Sequence, residues 1–209
     1  MKLLIIGASR GIGKALLEET SKDGHQVRVL ARRPEKIDTT DNALEVVQGD
    51  VRDLEAVQSA IRDMDVVCSC IGVPITFKPV DLFAVAARNL VQAVEQQPGL
   101  KLIAVTGIGA GDSKGHGGFL YDRIFKPLFL RTIYEDKDRE EEIIRGSTIE
   151  WLIVRPAGLT NGPRTGKYRV ITDLEGSVAT RISRRDVADF ILSEMVQPTQ
   201  FGKTPLITY

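Results

Sequence analysis

The sequence predicts an α/β fold: a doubly wound, mainly parallel sheet with helices on both faces. Three observations carry this. An unbroken aliphatic run at the N-terminus, Leu3 to Ile6, is followed at once by a glycine-rich turn. Further short apolar runs then alternate with stretches at helical spacing. Each run is bounded by Gly, Pro or Asp. Four aliphatic residues in a row suit a strand buried on both faces, as in the middle of a parallel sheet. Strand–helix alternation implies right-handed crossovers.

The elements follow in order. Gly7 breaks the first strand, Gly11 and Gly13 follow, and a helical pattern runs from Lys14 to about Asp23, where Gly24 stops it. Val27, Val29 and Leu30 form the second strand, closed by Ala31-Arg32-Arg33-Pro34. Leu44 to Val47 form a third, followed by Gly49-Asp50-Val51. Asp53 is an N-cap for a helix to Arg62. A fourth strand spans Val66 to Ile71, stopped by Gly72 and Pro74. Asp81 stands where it can cap a long helix with Leu82, Val85, Ala86, Leu90, Val91 and Val94 at helical spacing. Leu102 to Val105 are the fifth strand.

The run from Ile108 to Arg131 differs. It holds five glycines, then Phe119, Leu120, Tyr121, Ile124, Phe125, Leu128, Phe129 and Leu130 among basic residues. It is expected to roof a pocket. A charge-dense helix covers Ile133 to Arg145, with Arg139 to Glu142 expected as a solvated face, and Ile149 to Val154 are a sixth strand. Tyr168 to Ile182 alternates as a short hairpin around Asp173 and Gly176. Ser183 to Met195 form the last helix and Leu206 to Thr208 a final strand. No linker interrupts the chain, so residues 1–209 are expected to form one Rossmann-type domain with a small C-terminal elaboration. The expected pocket elements lie at about 108–131 and 157–182.

Composition narrows the function classes. The 209 residues carry 28 basic and 28 acidic side chains, so no basic field points to nucleic acid. No stretch reaches membrane-spanning length, and the N-terminal apolar run is too short for a signal peptide. Cys68 and Cys70 share one apolar run and are expected as buried free thiols, which fits a cytoplasmic protein. His25 and His116 are not in ligand spacing, so no metal site is expected. Trp151 reads as core.

The chemistry gathers at the ends of the expected strands. A strand, a glycine turn and a helix form an anion site, because free N–H groups and the positive end of the helix dipole face the ligand. Gly7, Gly11 and Gly13 supply the turn and the close approach, Ile12 lies within it, and Ser9 and Arg10 add a hydroxyl and a cation. At the end of the second strand, a fold of this type selective for NAD places a carboxylate about twenty residues past the glycines. Here stand Arg32 and Arg33, with Lys36 beyond; guanidinium groups clamp a 2′-phosphate, so NADP(H) is the expected cofactor. Asp50 and Val51 are placed to meet adenine. Cys70, Ile71 and Gly72 end the fourth strand, where Gly72 lets the backbone approach a ribose.

Thr106 ends the fifth strand, near the expected nicotinamide; it either serves substrate or ribose or is satisfied locally. Tyr134 and Lys137 invite a proton relay in which the lysine also holds the ribose. Their spacing is three, and Ile133 occupies the four-apart position. Thr106, Lys137 and Tyr134 are therefore the candidate catalytic residues.

With these residues in place, the chain resembles the short-chain dehydrogenase/reductase superfamily. More narrowly, it is similar to the atypical NAD(P)H-binding group that includes NmrA-like proteins and the flavin reductase/biliverdin reductase B type. The resemblance runs through GASRGIG at 7–13, VLARRPEK at 29–36, GDVRD at 49–53 and ARNLVQAV at 87–94. It continues in KLIAVTG at 101–107, WLIVRPAGL at 151–159, RISRRDVADFIL at 181–192 and the GKTPLITY terminus. It implies an NADPH-dependent reductase of planar conjugated acceptors, flavins or quinones. The implied cofactor contacts fall on Gly7, Ser9, Arg10, Gly11, Ile12, Arg32, Asp50, Val51, Ile71, Gly72 and Thr106. Arg155-Pro156 would run beside the nicotinamide. Gly107 stands where the flavin reductases carry a serine. The rivals are a non-catalytic NAD(P)H-binding sensor of NmrA-like type and, last, a nucleotide-sugar epimerase or dehydratase. A small-molecule substrate and a monomer or homodimer are expected.

Overall fold

The computed structural model describes residues 1–21, 24–37, 44–118 and 121–209. Three sequence expectations, the helix end at Asp23 and the lid positions Phe119 and Leu120, lie outside the described residues.

The chain opens with β1 (Lys2–Ile6), α1 (Gly11–Thr20), β2 (Gln26–Ala31), β3 (Leu44–Gln48), α2 (Leu54–Ala60) and β4 (Val66–Ser69). It continues with α3 (Leu82–Glu95), β5 (Lys101–Val105), a π-helical segment (Tyr121–Leu130), α4 (Arg131–Arg145) and β6 (Glu150–Pro156). The last part holds β7 (Gly158–Thr160), β8 (Arg169–Ile171), β9 (Arg181–Ser183), α5 (Arg184–Val196) and β10 (Leu206–Thr208). The main sheet has eight strands in the order β3-β2-β1-β4-β5-β6-β10-β8. All neighbours are parallel except β8, which runs antiparallel to β10. The expected Rossmann-type architecture is the observed one.

Strand alternation divides the core in two. Leu3 and Ile5 face one apolar cluster with Leu16 of α1 and Val187 and Ile191 of α5. Leu4 and Ile6 face the other, with Val57 of α2, Leu90 of α3 and Ile144 of α4. Successive side chains of a strand point to opposite faces, so an all-aliphatic strand is what a sheet covered on both sides requires. Among the described residues no helix is long and apolar enough to cross a membrane.

Three local expectations are corrected. Asp53 caps α2, accepting from the N–H groups of Glu55 (3.0 Å) and Ala56 (3.4 Å). Asp81, however, does not cap α3: its carboxylate turns to Arg52 at 2.5 Å. The cap comes from α4, where Asp136 accepts from the N–H groups of Phe83 (2.8 Å) and Ala84 (3.4 Å). The expected hairpin over 168–182 is absent: β8 pairs with β10, and β9 pairs in parallel with β7. Alternation there reports half-buried strands, but their partners are remote in sequence. Finally, Glu140 and Glu141 of the supposed solvated face are buried. They continue the inward stripe of Ile133, Asp136, Lys137 and Ile144, at the three- and four-residue spacing of one helix face.

Candidate functional site

The site begins where β1 meets α1. Gly7 has φ +91°, and a Cβ there would stand 2.5 Å from the Cys70 carbonyl oxygen. A Cβ on Gly13 would stand 2.4 Å from the Gly7 carbonyl oxygen. The turn is therefore pressed between β4 and α1, and only glycine fits at either point. The helix starts at Gly11, three residues before the sequence pattern indicates. Its N-cap residue, Arg10, makes no side-chain cap, and its first turn has no acidic residue. The end with free N–H donors and positive dipole is thus left open to an anion.

A cleft of about 1440 Å³ lies over this turn. Gly7, Ser9 and Arg10 line it from the turn, Gly11 and Ile12 from the start of α1, and Arg32 and Arg33 from the end of β2. Asp50 and Val51 line it past β3, and Cys70, Ile71 and Gly72 past β4. The structure thus gathers twelve of the residues singled out from sequence, with Lys36 beside the arginines. Arg10 reaches across to the Gly72 carbonyl oxygen, its Nη2 donating at 3.3 Å. Burial pushes the Cys70 thiol up to about 12, against the pull of Lys137, so it is a neutral wall group rather than a nucleophile.

These features fit a dinucleotide. The uncapped helix suits a diphosphate, and Gly72, with nothing within 4 Å of its Cβ position, leaves room for a sugar. Among the described residues no cluster of His, Cys, Asp and Glu is placed to hold a metal.

Five predicted site residues do not line the cleft: Gly13, Thr106, Tyr134, Lys137 and Pro156. Gly13 sits behind it, packing α1 on the turn. Pro156 belongs to β6, paired with β10, and its carbonyl accepts from the Ile108 N–H at 3.0 Å. Thr106 and Lys137 belong to a buried polar layer between the strand ends and α4. The Thr106 hydroxyl donates to Glu141 Oε1 at 2.7 Å. Glu141 is gripped by Arg155, which also reaches Asp112. Lys137 Nζ donates to the Val105 carbonyl at 3.3 Å, lies 4.2 Å from the Phe83 ring centroid and is 3.8 Å from Glu140. Burial lowers the Lys137 ammonium, opposed by Glu140 and Glu141. Burial also lifts the Glu140 carboxyl to about 7, against the pull of Lys137. Tyr134 turns towards the end of β5: its hydroxyl is 3.0 Å from the Cβ position of Gly107, and the Lys126 ammonium lies 4.8 Å from its ring centroid.

The described residues of 108–131 also stay out of the cleft lining. They approach it indirectly. Phe129 lies 6.4 Å from Phe77, centroid to centroid, and Thr132 of α4 donates to the Thr76 carbonyl at 3.2 Å. The cleft wall on that side is Val73 to Ile75. Leu159, Asn161 and Gly162, and Arg184 and Arg185 at the start of α5, also line the cleft. Leu159, Asn161 and Gly162 fall in the expected pocket element at 157–182, whereas Arg184 and Arg185 had no site expectation. One signal was present: two arginines in the first turn of a helix oppose its dipole.

A family model described as NAD(P)H-binding matches residues 7–198. The Bacillus subtilis (strain 168) protein YwnB is 28% identical over 207 residues, 95% of this chain and 93% of that one. Two solved structures share the fold. The anaerobillin reductase ChuY of Escherichia coli O157:H7 superposes with a TM-score of 0.84 at 23% identity, covering 100% of this chain and 97% of that one. A candidate NADH-flavin reductase from Streptococcus pneumoniae does so at 0.75 and 23%, covering 100% and 99%.

Proposed function

This chain belongs to the NAD(P)H-binding family, and we propose that it is a reductase that uses NADPH to deliver hydride to a planar conjugated acceptor of the flavin or quinone class. The observation that carries the reading is the pair Arg32 and Arg33 in the cleft wall at the end of β2, where a carboxylate would mark NAD. In this reading Arg32 and Arg33, with Lys36, hold the 2′-phosphate. The backbone of Gly7 to Ile12 holds the diphosphate, Asp50 and Val51 the adenine, and Ile71 and Gly72 a ribose. The bound nicotinamide supplies the hydride.

The rest of the cleft supports an acceptor that needs little acid catalysis. The Thr106 hydroxyl donates its hydrogen bond to Glu141, and the Lys137 ammonium donates one to the Val105 carbonyl. A flavin or quinone spreads the charge it gains over a conjugated system, so proximity and orientation do most of the work. The lining includes the apolar groups of Ile71, Ile75, Val105 and Leu159, which can contact a planar ring. The reductase named among the structural neighbours acts on an anaerobillin, by its description, and the other is assigned to flavin. The reading is tested by NADPH oxidation at saturating FMN and quinone, with calorimetry of NADPH against NADH. Turnover with at least one acceptor and tighter NADPH binding are expected. Equal affinity for the two dinucleotides would remove the role given to Arg32 and Arg33.

A second reading rests on one observation: no member of the Thr106, Tyr134 and Lys137 trio lines the cleft. A protein that binds NADPH tightly yet turns over no acceptor in a broad panel would be a sensor of the cofactor.

A further inference from the structure

We infer that Arg184 is a second cationic jaw on the diphosphate, carried from the C-terminal part of the chain across α1 and aimed by Asn161. The inference rests on the dinucleotide reading above. Arg184 is the first residue of α5, which packs against α1 on one face of the sheet. Its Nε lies 4.0 Å from the position a Cβ on Gly11 would take, and both residues line the cleft. Gly11 carries no side chain, so nothing of its own stands between that guanidinium and the open start of α1. Arg184 Nη1 donates to Asn161 Oδ1 at 2.7 Å, and Asn161 also lines the cleft.

The charge of Arg184 is what its neighbours lack. Arg185 is spent on Glu18 at 3.2 Å, and Arg164 on Glu19 at 3.1 Å and Asp189 at 2.5 Å. Among the described residues no carboxylate lies within ion-pair distance of Arg184; Asn161 orients it without neutralising it. A cation in the first turn of a helix works against the dipole. The N-cap of α5 is already supplied by Ser183, which accepts from the Asp186 N–H at 2.9 Å. Arg184 therefore contributes nothing evident to its own helix. A diphosphate on the start of α1 would meet Arg10 from one side and Arg184 from the other, with Asn161 fixing the fork.

The diphosphate is common to NADH and NADPH, whereas the 2′-phosphate is not, and this separates Arg184 from Arg32 and Arg33. Calorimetry with NADPH, NADH and adenosine 2′-monophosphate on wild type and Arg184→Gln tests it. Arg184→Gln is expected to weaken both dinucleotides about ten- to a hundredfold, the loss of one charge-assisted hydrogen bond. The NADPH:NADH ratio and the affinity for adenosine 2′-monophosphate should stay as in wild type. Arg184→Lys and Asn161→Ala should each give a smaller loss of the same pattern. They carry the test if Arg184→Gln fails to fold, which melting of the ligand-free variants reports. Both affinities within twofold of wild type, or a loss confined to NADPH, would overturn the inference. Wild-type protein that binds neither dinucleotide would overturn the cofactor reading itself, and the inference with it.

Discussion

Arg155 and Glu141 meet as a fork beneath the ends of β5 and β6: Nε reaches Oε1 at 3.0 Å and Nη2 reaches Oε2 at 2.5 Å, with both side chains buried. Thr106 adds a third donor to the same carboxylate. The fork joins α4 to β6 and, through Thr106, to the end of β5 next to Val105.

Removing one partner of such a pair leaves the other charged and buried. Glu141→Ala would leave Arg155 with Asp112, whose side chain is 62% exposed and mostly hydrated. A cost of about 3–5 kcal/mol is expected in urea unfolding. Thr106→Val loses one hydrogen bond to a charged acceptor and should cost about 1.5–3 kcal/mol. If Glu141→Ala unfolds within about 1 kcal/mol of wild type, on the same scale for exposed pairs, the fork is not what holds α4 in place.

The Glu140 carboxyl, lifted by burial to about 7, predicts a pH dependence. Its Oε2 accepts no hydrogen bond, and the Lys137 ammonium 3.8 Å away only partly offsets the burial. Between the ordinary glutamate value of 4.5 and about 7, the native state keeps a proton that the unfolded chain has released. The stability this proton confers is full below that window and is lost as pH rises through it. Glu140→Gln removes the titration. The difference in unfolding free energy, variant minus wild type, should therefore grow more positive from pH 5 to pH 8. A difference that stays constant over this range would show that Glu140 ionises normally.

The start of α3 offers a direct comparison of two aspartates. Asp136, fully buried, accepts from two N–H groups of the first turn, while Asp81 only pairs with Arg52 at the surface. Asp136→Ala should lower stability by about 1–2 kcal/mol, as lost caps do. Asp81→Ala should cost less than about 1 kcal/mol, as exposed ion pairs do. Thermal melts of the two variants at matched pH decide it, and the reverse order would restore the cap to Asp81.

How much of this was legible depends on where the partners lie. The turn from Gly7 to Gly13, Arg32, Arg33, Asp50 and Gly72 could be placed because each sits at a strand end, and strand ends in a parallel sheet share one edge. Glu140, Glu141 and Lys137 have the spacing of a buried helix face, but charged residues at that spacing read as solvated. What buries them, Arg155, Thr106 and the Val105 carbonyl, comes from strands remote in sequence. The same holds for Asp136, whose acceptor role is set by α3 lying against α4. Asn161 lies in the stretch 157–182 expected at the pocket, but Arg184 reaches the cleft because α5 packs beside α1, and its one local sign is the misplaced charge in a first helical turn.

Two glycines separate folding from binding. Gly13→Ala places a methyl 2.4 Å from the Gly7 carbonyl oxygen, and a backbone atom does not move aside as a side chain does. The helix must shift off the turn, at about 1–3 kcal/mol, the range for overpacked sites. The N–H groups at its start then lose their aim, so dinucleotide affinity falls as well. Gly72→Ala meets nothing within 4 Å and has no left-handed φ to strain, so its melting temperature should match wild type. Yet its methyl would stand in the cleft wall where the ribose is assigned. Calorimetry should then show NADPH binding weakened in both variants, with a lowered melting temperature only in Gly13→Ala. Wild-type affinity in Gly72→Ala would move the ribose away from the end of β4, and with it the path of the nicotinamide across the sheet.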